Sequence, residues 1–358
     1  LSDIDPVEES RAPSVAIIVP ARNEERHLES ALSSLLKLDY PDYQVVVVDD
    51  RSSDRTPEIL EQMSQRHRNL RRLRVDSLPQ GWLGKTHALH YGAEHCQSDL
   101  LLFSDADVHF ESSALKRAVG HLRRQEIDHL ACIPDIRSRG WVLTILQVTF
   151  GLSFTLFQRP WKARDPKSSA YVGVGAFNLL TRQAYEGCGG LPRIALQVDD
   201  DVKLGLIVKR SGFRQDCLVA DRLLWLEWYA NLREMVEGLS KNAFAAFGYR
   251  WEKALGASLA TLLMWVGPPI GVLLTSGWTQ ATLAAITLSH LALFLEFCRY
   301  LRKPLICALG YPLGFLLLVH IIARSAVLTL KQGGVIWRGT HYSLRSLRRS
   351  ATDIAKEA

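Results

Sequence analysis

The chain of 358 residues has only six cysteines, Cys96, Cys132, Cys188, Cys217, Cys298 and Cys307, with no CxxC pair and no His/Cys cluster at zinc spacing. That scatter excludes a disulfide framework and a structural zinc site, and it points to a reducing, cytosol-facing compartment. Internal repeats and low-complexity segments are also lacking. The first dozen residues are polar and the chain opens on Leu1, so no signal peptide is read, and an upstream anchor is left open. Positive charge is in slight excess, at a formal +6, gathered at Arg66, Arg68, Arg71, Arg72 and Arg74, at Arg299, Arg302 and Lys303, and at Arg345, Arg348 and Arg349. None of these clusters interleaves with the aromatics of a single-strand binding platform. Nucleic acid is therefore not an expected partner, and an anionic substrate or a membrane surface is. The first cluster reads as a solvated face.

Charge is missing in one place with consequences. Ala254 to Gly277 contains none, and is about as long as a helix crossing ~30 Å of hydrocarbon requires; Ala281 to Phe297 carries only His290 and Glu296. Pro304 to Leu330 is apolar as well, but Gly310, Pro312 and Gly314 interrupt it and Arg324 lies inside it. Two crossings return the loop at Arg299 to Lys303 to the side of the catalytic half, whereas a third would send the basic tail out, so a broken, re-entrant or interfacial segment is expected there. Gly140 to Pro160 fits either a buried core helix or an interfacial helix guiding a lipid.

The first two thirds read differently. Up to about Asp221, short β-branched runs alternate with helical periodicity, the mark of βαβ units and a mostly parallel sheet. Val15 to Pro20 is expected as a strand, Glu24 to Leu38 as a helix, Gln44 to Asp50 as a strand, Thr86 to Cys96 as a helix and Asp99 to Ser104 as a strand. Ligands of such sheets bind beyond the carboxyl ends of the strands, which puts Asp50, Asp105 and Asp107 on one edge. The expected organisation is a tail at 1–13, an α/β domain at 14–235, an interfacial helix at 236–253, membrane helices at 254–330 and a basic tail at 331–358.

The carboxylates at strand and helix ends carry the chemistry. Asp105-Ala106-Asp107 on a strand-end turn suits Mg2+ or Mn2+, which bind through one or two carboxylates plus substrate phosphates. Asp199-Asp200-Asp201 precedes a helical face; such a triplet can cap the helix, and mutual repulsion can also raise one pKa toward that of a general base. Lys85, in Gly81-Trp82-Leu83-Gly84-Lys85, is a cation on a glycine-flanked loop suited to a phosphate, although the spacing is not that of a P-loop.

Five elements in order, Val19-Pro20-Ala21-Arg22-Asn23-Glu24-Glu25, Val48-Asp49-Asp50-Arg51-Ser52-Ser53-Asp54, Gly84-Lys85 with Ala88-Leu89, Asp105-Ala106-Asp107, and Asp200-Asp201 with Leu204-Gly205 and Gly212-Phe213, resemble the family 2 glycosyltransferases of the GT-A fold. The apolar C-terminal third adds a looser likeness to ceramide glucosyltransferases and to hopanoid and carotenoid glycosyltransferases. The resemblance implies a Rossmann-like GT-A domain followed by a helical membrane region, and inverting, metal-dependent transfer of a sugar from a nucleoside diphosphate, UDP ahead of GDP, to a lipid acceptor. It implies that Pro20, Arg22 and Glu24 lie near the nucleotide, that Asp50 holds the base or ribose, and that Lys85 and Asp105 flank the diphosphate sugar. Asp107 would bind Mg2+ or Mn2+, Asp201 would be the general base, and Gly175, Asn178, Asp200 and Lys241 would stand on the acceptor side. The implied location is a bacterial inner membrane with the catalytic domain on the cytoplasmic face. A QxxRW motif common in membrane-bound relatives is missing: Phe247-Gly248-Tyr249-Arg250-Trp251 keeps only its Arg-Trp. That departure counts against the processive polysaccharide synthase as an alternative. A non-catalytic nucleotide-sugar-binding scaffold is the other alternative.

Overall fold

The computed structural model describes residues 1–356. In chain order its regular elements are β1 (Val15–Ala21), α1 (Leu28–Leu35), β2 (Tyr43–Asp50), α2 (Thr56–Arg66), β3 (Leu70–Val75), α3 (Gly84–Glu94), β4 (Leu100–Phe103), β5 (His109–Phe110), α4 (Ala114–Arg124), β6 (His129–Arg137), α5 (Trp141–Gln158), β7 (Asn178–Thr181), α6 (Arg182–Gly187), α7 (Asp200–Arg210) and β8 (Gln215–Glu227). There follow α8 (Leu232–Asn242), α9 (Trp251–Thr261), α10 (Gly267–Leu274), α11 (Gly277–Tyr300), α12 (Tyr311–Lys331), β9 (Gly334–Trp337), β10 (Thr340–Ser343) and α13 (Leu344–Lys356). The chain divides into two compact units: 1–135 with 158–226 and 354–356, and 136–157 with 227–353.

The first unit is built on an eight-stranded sheet of order β3-β2-β1-β4-β7-β6-β8-β5. Its parallel half, β3 to β4, is the Rossmann-like part: β1 pairs in parallel with both β2 and β4. Val15 to Val19 and Val45 to Val48 are fully buried because helices cover both faces, and such strands read as continuous apolar runs. The antiparallel β7 then joins β4 to β6, so two segments on either side of α5 lie side by side in one sheet. Strand β3, whose arginines read as a solvated face, is the sheet's edge; Arg71 and Arg72 point out from it while Leu70 and Val75 are buried.

Local chemistry explains where elements start late. Helix α1 begins at Leu28 rather than Glu24, since Asn23 adopts a left-handed φ of 56° and the turn behind it is held by the Ser52 and Thr56 hydroxyls, which accept from the amides of Asn23 and Glu24. Lys85, expected on a loop, instead stands in the first turn of α3.

The second unit is helical. Phe294 is completely buried, and Trp265 stacks on Phe315 with centroids 4.4 Å apart. A π-helical turn, Leu262–Val266, separates α9 from α10 just before Pro268 and Pro269, whose missing N–H groups cannot continue the α ladder. The expected interruption of 304–330 shrinks to a 3-10 onset, Leu305–Gly310, after which α12 is continuous, because Pro312 falls in its first turn where no N–H is required. Four helical stretches, Trp141–Lys162, Trp251–Leu274, Gly277–Tyr300 and Leu305–Lys331, are long and apolar enough to cross a membrane.

Candidate active site

The first unit assembles its site at the carboxyl edge of the parallel strands, where β1, β2 and β4 run out into polar turns. Pro20 is the penultimate residue of β1, which ends at Ala21 and hands over to Arg22 and Glu24. At the end of β2, Asp50 is almost wholly buried and clamped by two guanidiniums, with Arg51 Nε 2.8 Å from Oδ1 and Arg22 Nη1 3.5 Å from Oδ2. Arg51 reaches back in this way because its backbone takes the left-handed region, φ 58°. Gly84 at the start of α3 packs directly on this carboxylate, and a Cβ there would overlap Asp50 Oδ2.

One residue further, Lys85 turns to the opposite side. Its Nζ lies 2.7 Å from Asp105 Oδ1 and 3.7 Å from Asp200 Oδ1. Burial opposes its charge, but Asp105, Asp200 and Asp201 outweigh burial and hold the ammonium above its ordinary pKa. Three carboxylates around one ammonium leave negative charge in excess. Asp200 is lifted to about 7, first by burial and then by Asp201, Asp105 and Asp199, with Lys85 pulling the other way. Asp201 is raised by burial too, although Lys85 and the N–H of Val202 lower it.

The loop at 173–178 closes the other side. The Gly175 N–H donates to Asp201 Oδ2 at 2.7 Å, and the Gly175 carbonyl accepts from the Asp105 N–H at 3.1 Å. A Cβ on Gly175 would sit 2.7 Å from Asp105 Oδ2 and 3.3 Å from Asp201 Oδ2, so only glycine lets the loop approach both carboxylates. Lys85, Ser104, Asp105, Gly175, Asp200 and Asp201 line a small cavity of about 10 Å3. Asn178 also borders it, but its Oδ1 is buried and accepts from the Val174 N–H and from His129 Nε2.

Asp107 stands beside this cluster. Burial, then Asp105 and Glu24, raise it to about 7, and Lys85 is the cation that lowers it. Accumulated negative charge of this kind fits a divalent cation. Among the described residues no three His, Cys, Asp or Glu side chains form a closed metal cage, so Asp107 would share such an ion with Asp105, substrate phosphates or water.

Thus Arg22 and Asp50, and Lys85, Asp105, Gly175, Asp200 and Asp201, meet in the first unit, with Glu24 and Asp107 coupled to them electrostatically. Lys241 belongs to the second unit, exposed near the end of α8. The sequence reading missed His129 and Gln215. His129 is completely buried, its Nδ1 accepting from Gln215 Nε2 at 2.7 Å, while Gln215 Oε1 accepts from the Val172 N–H. These partners are 86 residues apart, so no local spacing announces them.

A parallel α/β sheet that gathers paired carboxylates, a lysine and a glycine loop at its carboxyl edge has the architecture of the GT-A fold. Residues 16–187 match the model of the family "Glycosyl transferase family 2". The chain is 26% identical to the 4,4'-diaponeurosporenoate glycosyltransferase of Staphylococcus haemolyticus over 64% of its own length and 60% of that protein's. It is 22% identical to the enzyme of the same name from Staphylococcus aureus over 92% of its own length and 88% of that protein's. Its fold superimposes on the mannosyltransferase PcManGT of Pyrobaculum calidifontis, in complex with GDP-Man and Mn2+, with a TM-score of 0.54 and 20% identity over 91% of this chain and 89% of that one. Residues 16–187 thus form a family 2 glycosyltransferase domain, and the chain resembles the carotenoid glycosyltransferases.

Proposed function

We propose that the protein moves one sugar from a nucleoside diphosphate to the oxygen of a carotenoid-like or other long apolar lipid acceptor, with inversion at the anomeric carbon. The observation that carries this reading is the convergence of Lys85, Asp105, Asp200 and Asp201 around the Gly175 loop. The bond from the anomeric carbon to the diphosphate oxygen breaks, and a bond from that carbon to the acceptor oxygen forms. Asp201 takes the proton of a hydroxyl acceptor; burial, by raising its pKa, makes it a stronger base than an ordinary carboxylate. Gly175 N–H fixes the orientation of that carboxylate. Lys85 faces the diphosphate, and Arg22 and Asp50 form the nucleoside end. Mg2+ or Mn2+ held at Asp107 would neutralise charge on the departing nucleoside diphosphate.

The acceptor class is supported by the two staphylococcal relatives, whose names place a carotenoid acid as acceptor. UDP-sugar as donor, and a bacterial inner membrane with the catalytic unit on its cytoplasmic face, complete the proposal. The test is transfer by the full chain in lipid nanodiscs, with radiolabelled UDP- and GDP-sugars and a carotenoid acid, a hopanoid or a ceramide, with and without Mn2+. One sugar on a lipid, only with metal, is expected; polymeric product, or donor binding without any transfer, would overturn the reading.

A further inference from the structure

Four stretches have the length and composition to cross a bilayer, but the strand pairing of the first unit restricts which can. Helix α5 lies between β6 and β7 in sequence, and those strands are antiparallel neighbours, with His129 opposite Leu180 and Ala131 opposite Asn178. Strand β7 also pairs with β4, Leu100 opposite Thr181. Chain before and after α5 therefore forms one sheet in one aqueous compartment. A single crossing by α5 would leave β7 on the wrong side of the hydrocarbon, so α5 does not cross.

The same parity applies to the remaining stretches. The chain leaves the first unit after Leu226 and returns to it at Ile354, which is buried in that unit's core and whose carbonyl accepts from Arg210. The number of crossings between them must be even. Ala254 to Leu295 contains no charged residue, so Trp251–Leu274 and Gly277–Tyr300 form a hairpin whose tip, Thr275-Ser276, has nothing to hold it back. The hairpin begins beside Arg250 and Lys253 and ends at Arg299, Arg302 and Lys303, basic at both feet. Lys303 Nζ donates to the carbonyl of Ile136, next to the end of the first unit's segment at Asp135, which returns this foot to the compartment of the sheet. Two crossings are then complete, and Leu305–Lys331 cannot supply a third.

From this geometry we infer that the protein crosses the membrane twice, through the 251–300 hairpin, that α12 packs against that hairpin without completing a crossing of its own, and that α5 lies in the bilayer's headgroup region on the side of the catalytic unit. Their packing agrees. The apolar face of α8, Met235, Val236 and Leu239, packs with Leu143 and Leu146 of α5 and Ile321 of α12, while Arg233, Glu234, Glu237 and Lys241 leave the other side of α8 charged. A helix so charged belongs in water or headgroups, and it fixes the depth of what it covers. The Arg233 hydrogen bond holds the Glu237 carboxyl below the usual carboxylate range, and Arg324, midway along α12, adds a smaller pull in the same direction. The lipid-facing ends of α5 are aromatic: Trp141 is 66% exposed and Phe157 78%, with Arg159 and Lys162 following as partners for anionic headgroups.

This inference goes beyond the proposed reaction and holds whether or not the chain transfers a sugar. It is tested on the full chain with single cysteines at Ser138, Ser168, Gln280 and Gln332, after Cys217→Ser removes the one native cysteine that is not buried. In sealed vesicles of one orientation, an impermeant maleimide should label 138, 168 and 332 from one side and 280 only from the other. Labelling of 332 from the side of 280, or of 280 from the side of 138, would overturn it. Depth is read separately, by an environment-sensitive dye on Phe157→Cys in vesicles containing anionic lipid. Quenchers near the headgroup should reduce its emission several-fold more than quenchers at the acyl terminus, and the order should reverse for Leu263→Cys. Deep quenching at 157, or none by either lipid, would sink the interfacial assignment.

Discussion

The backbone N–H of Gly175 donates to Oδ2 of Asp201 at 2.7 Å, from a loop that a methyl group would push away from both Asp201 and Asp105. Gly175→Ala should therefore act on turnover more than on folding, because the added Cβ meets side-chain ends that can shift. Turnover should fall at least ~10-fold, since displacement of a catalytic group by about 1 Å can cost on the order of 100-fold. Circular dichroism melting should change by only a few degrees. An unaltered rate would mean that this loop does not orient the carboxylate.

Asp201→Asn and Asp107→Asn should fail in different ways. If Asp201 is the proposed general base, its loss costs ~100- to 10,000-fold in turnover with a hydroxyl acceptor, and far less with an acceptor that is already an ionised carboxylate, which has no proton to give. Burial raises the pKa of Asp201, so the acid limb of kcat/KM with a hydroxyl acceptor should fall above pH ~4, the ordinary carboxylate value. Asp107→Asn should instead abolish Mn2+ binding, followed by electron paramagnetic resonance of free Mn2+ in the presence of nucleoside diphosphate. EDTA should inactivate the unaltered enzyme, and Mn2+ or Mg2+ should restore it.

Much of this site was legible because it is built from strand ends. Once Val45 to Val48 and Leu100 to Phe103 read as buried parallel strands, the positions of Asp50, Asp105 and Asp107 at one edge followed from topology alone. Asp200 and Asp201 were legible as a helix start, which is where α7 begins. What stayed hidden depends on long-range contact. The edge strand β3 is masked by Arg71, Arg72 and Arg74, whose outward side chains carry no strand signal. The sequence read the run of α5 as either a core helix or an interfacial one and could not choose, since an apolar stretch of that length fits both; the pairing of β7 with β4 and β6 adds the constraint that the chain on both sides of α5 belongs to one sheet.

Lys85 is the cation nearest to three carboxylates, and removing it should be felt in binding and stability together. Lys85→Met leaves Asp105, Asp200 and Asp201 facing one another without a counter-charge. Breaking a fully buried pair costs ~3–5 kcal/mol. With its side chain still 29% exposed, Lys85 should cost about 2 kcal/mol, seen as a lower melting temperature in detergent. The dissociation constant for a nucleoside diphosphate should rise ~10-fold or more, as phosphates would then approach an uncompensated acidic wall. Unchanged nucleotide affinity would remove Lys85 from the phosphate side.

His129 gives the protein a stability that depends on pH in a stated window. It is buried between Asn178 and Gln215, donating from Nε2 to one and accepting at Nδ1 from the other, so the neutral ring satisfies both partners. Burial lowers its pKa from the usual 6.5 to about 4. Above pH 6.5 the ring is neutral whether the chain is folded or not, and its contribution is complete. As the pH falls from 6.5 toward 4 only the unfolded chain takes up the proton, and stability is lost, by about 3 kcal/mol for a shift of this size at ~1.4 kcal/mol per unit. His129→Gln removes the proton-binding group. Its melting temperature should lie below that of the unaltered protein at pH 7.5, and the gap should narrow between pH 6.5 and 4. A gap constant across that interval would show that the ring takes up its proton as readily in the folded chain as in the unfolded one.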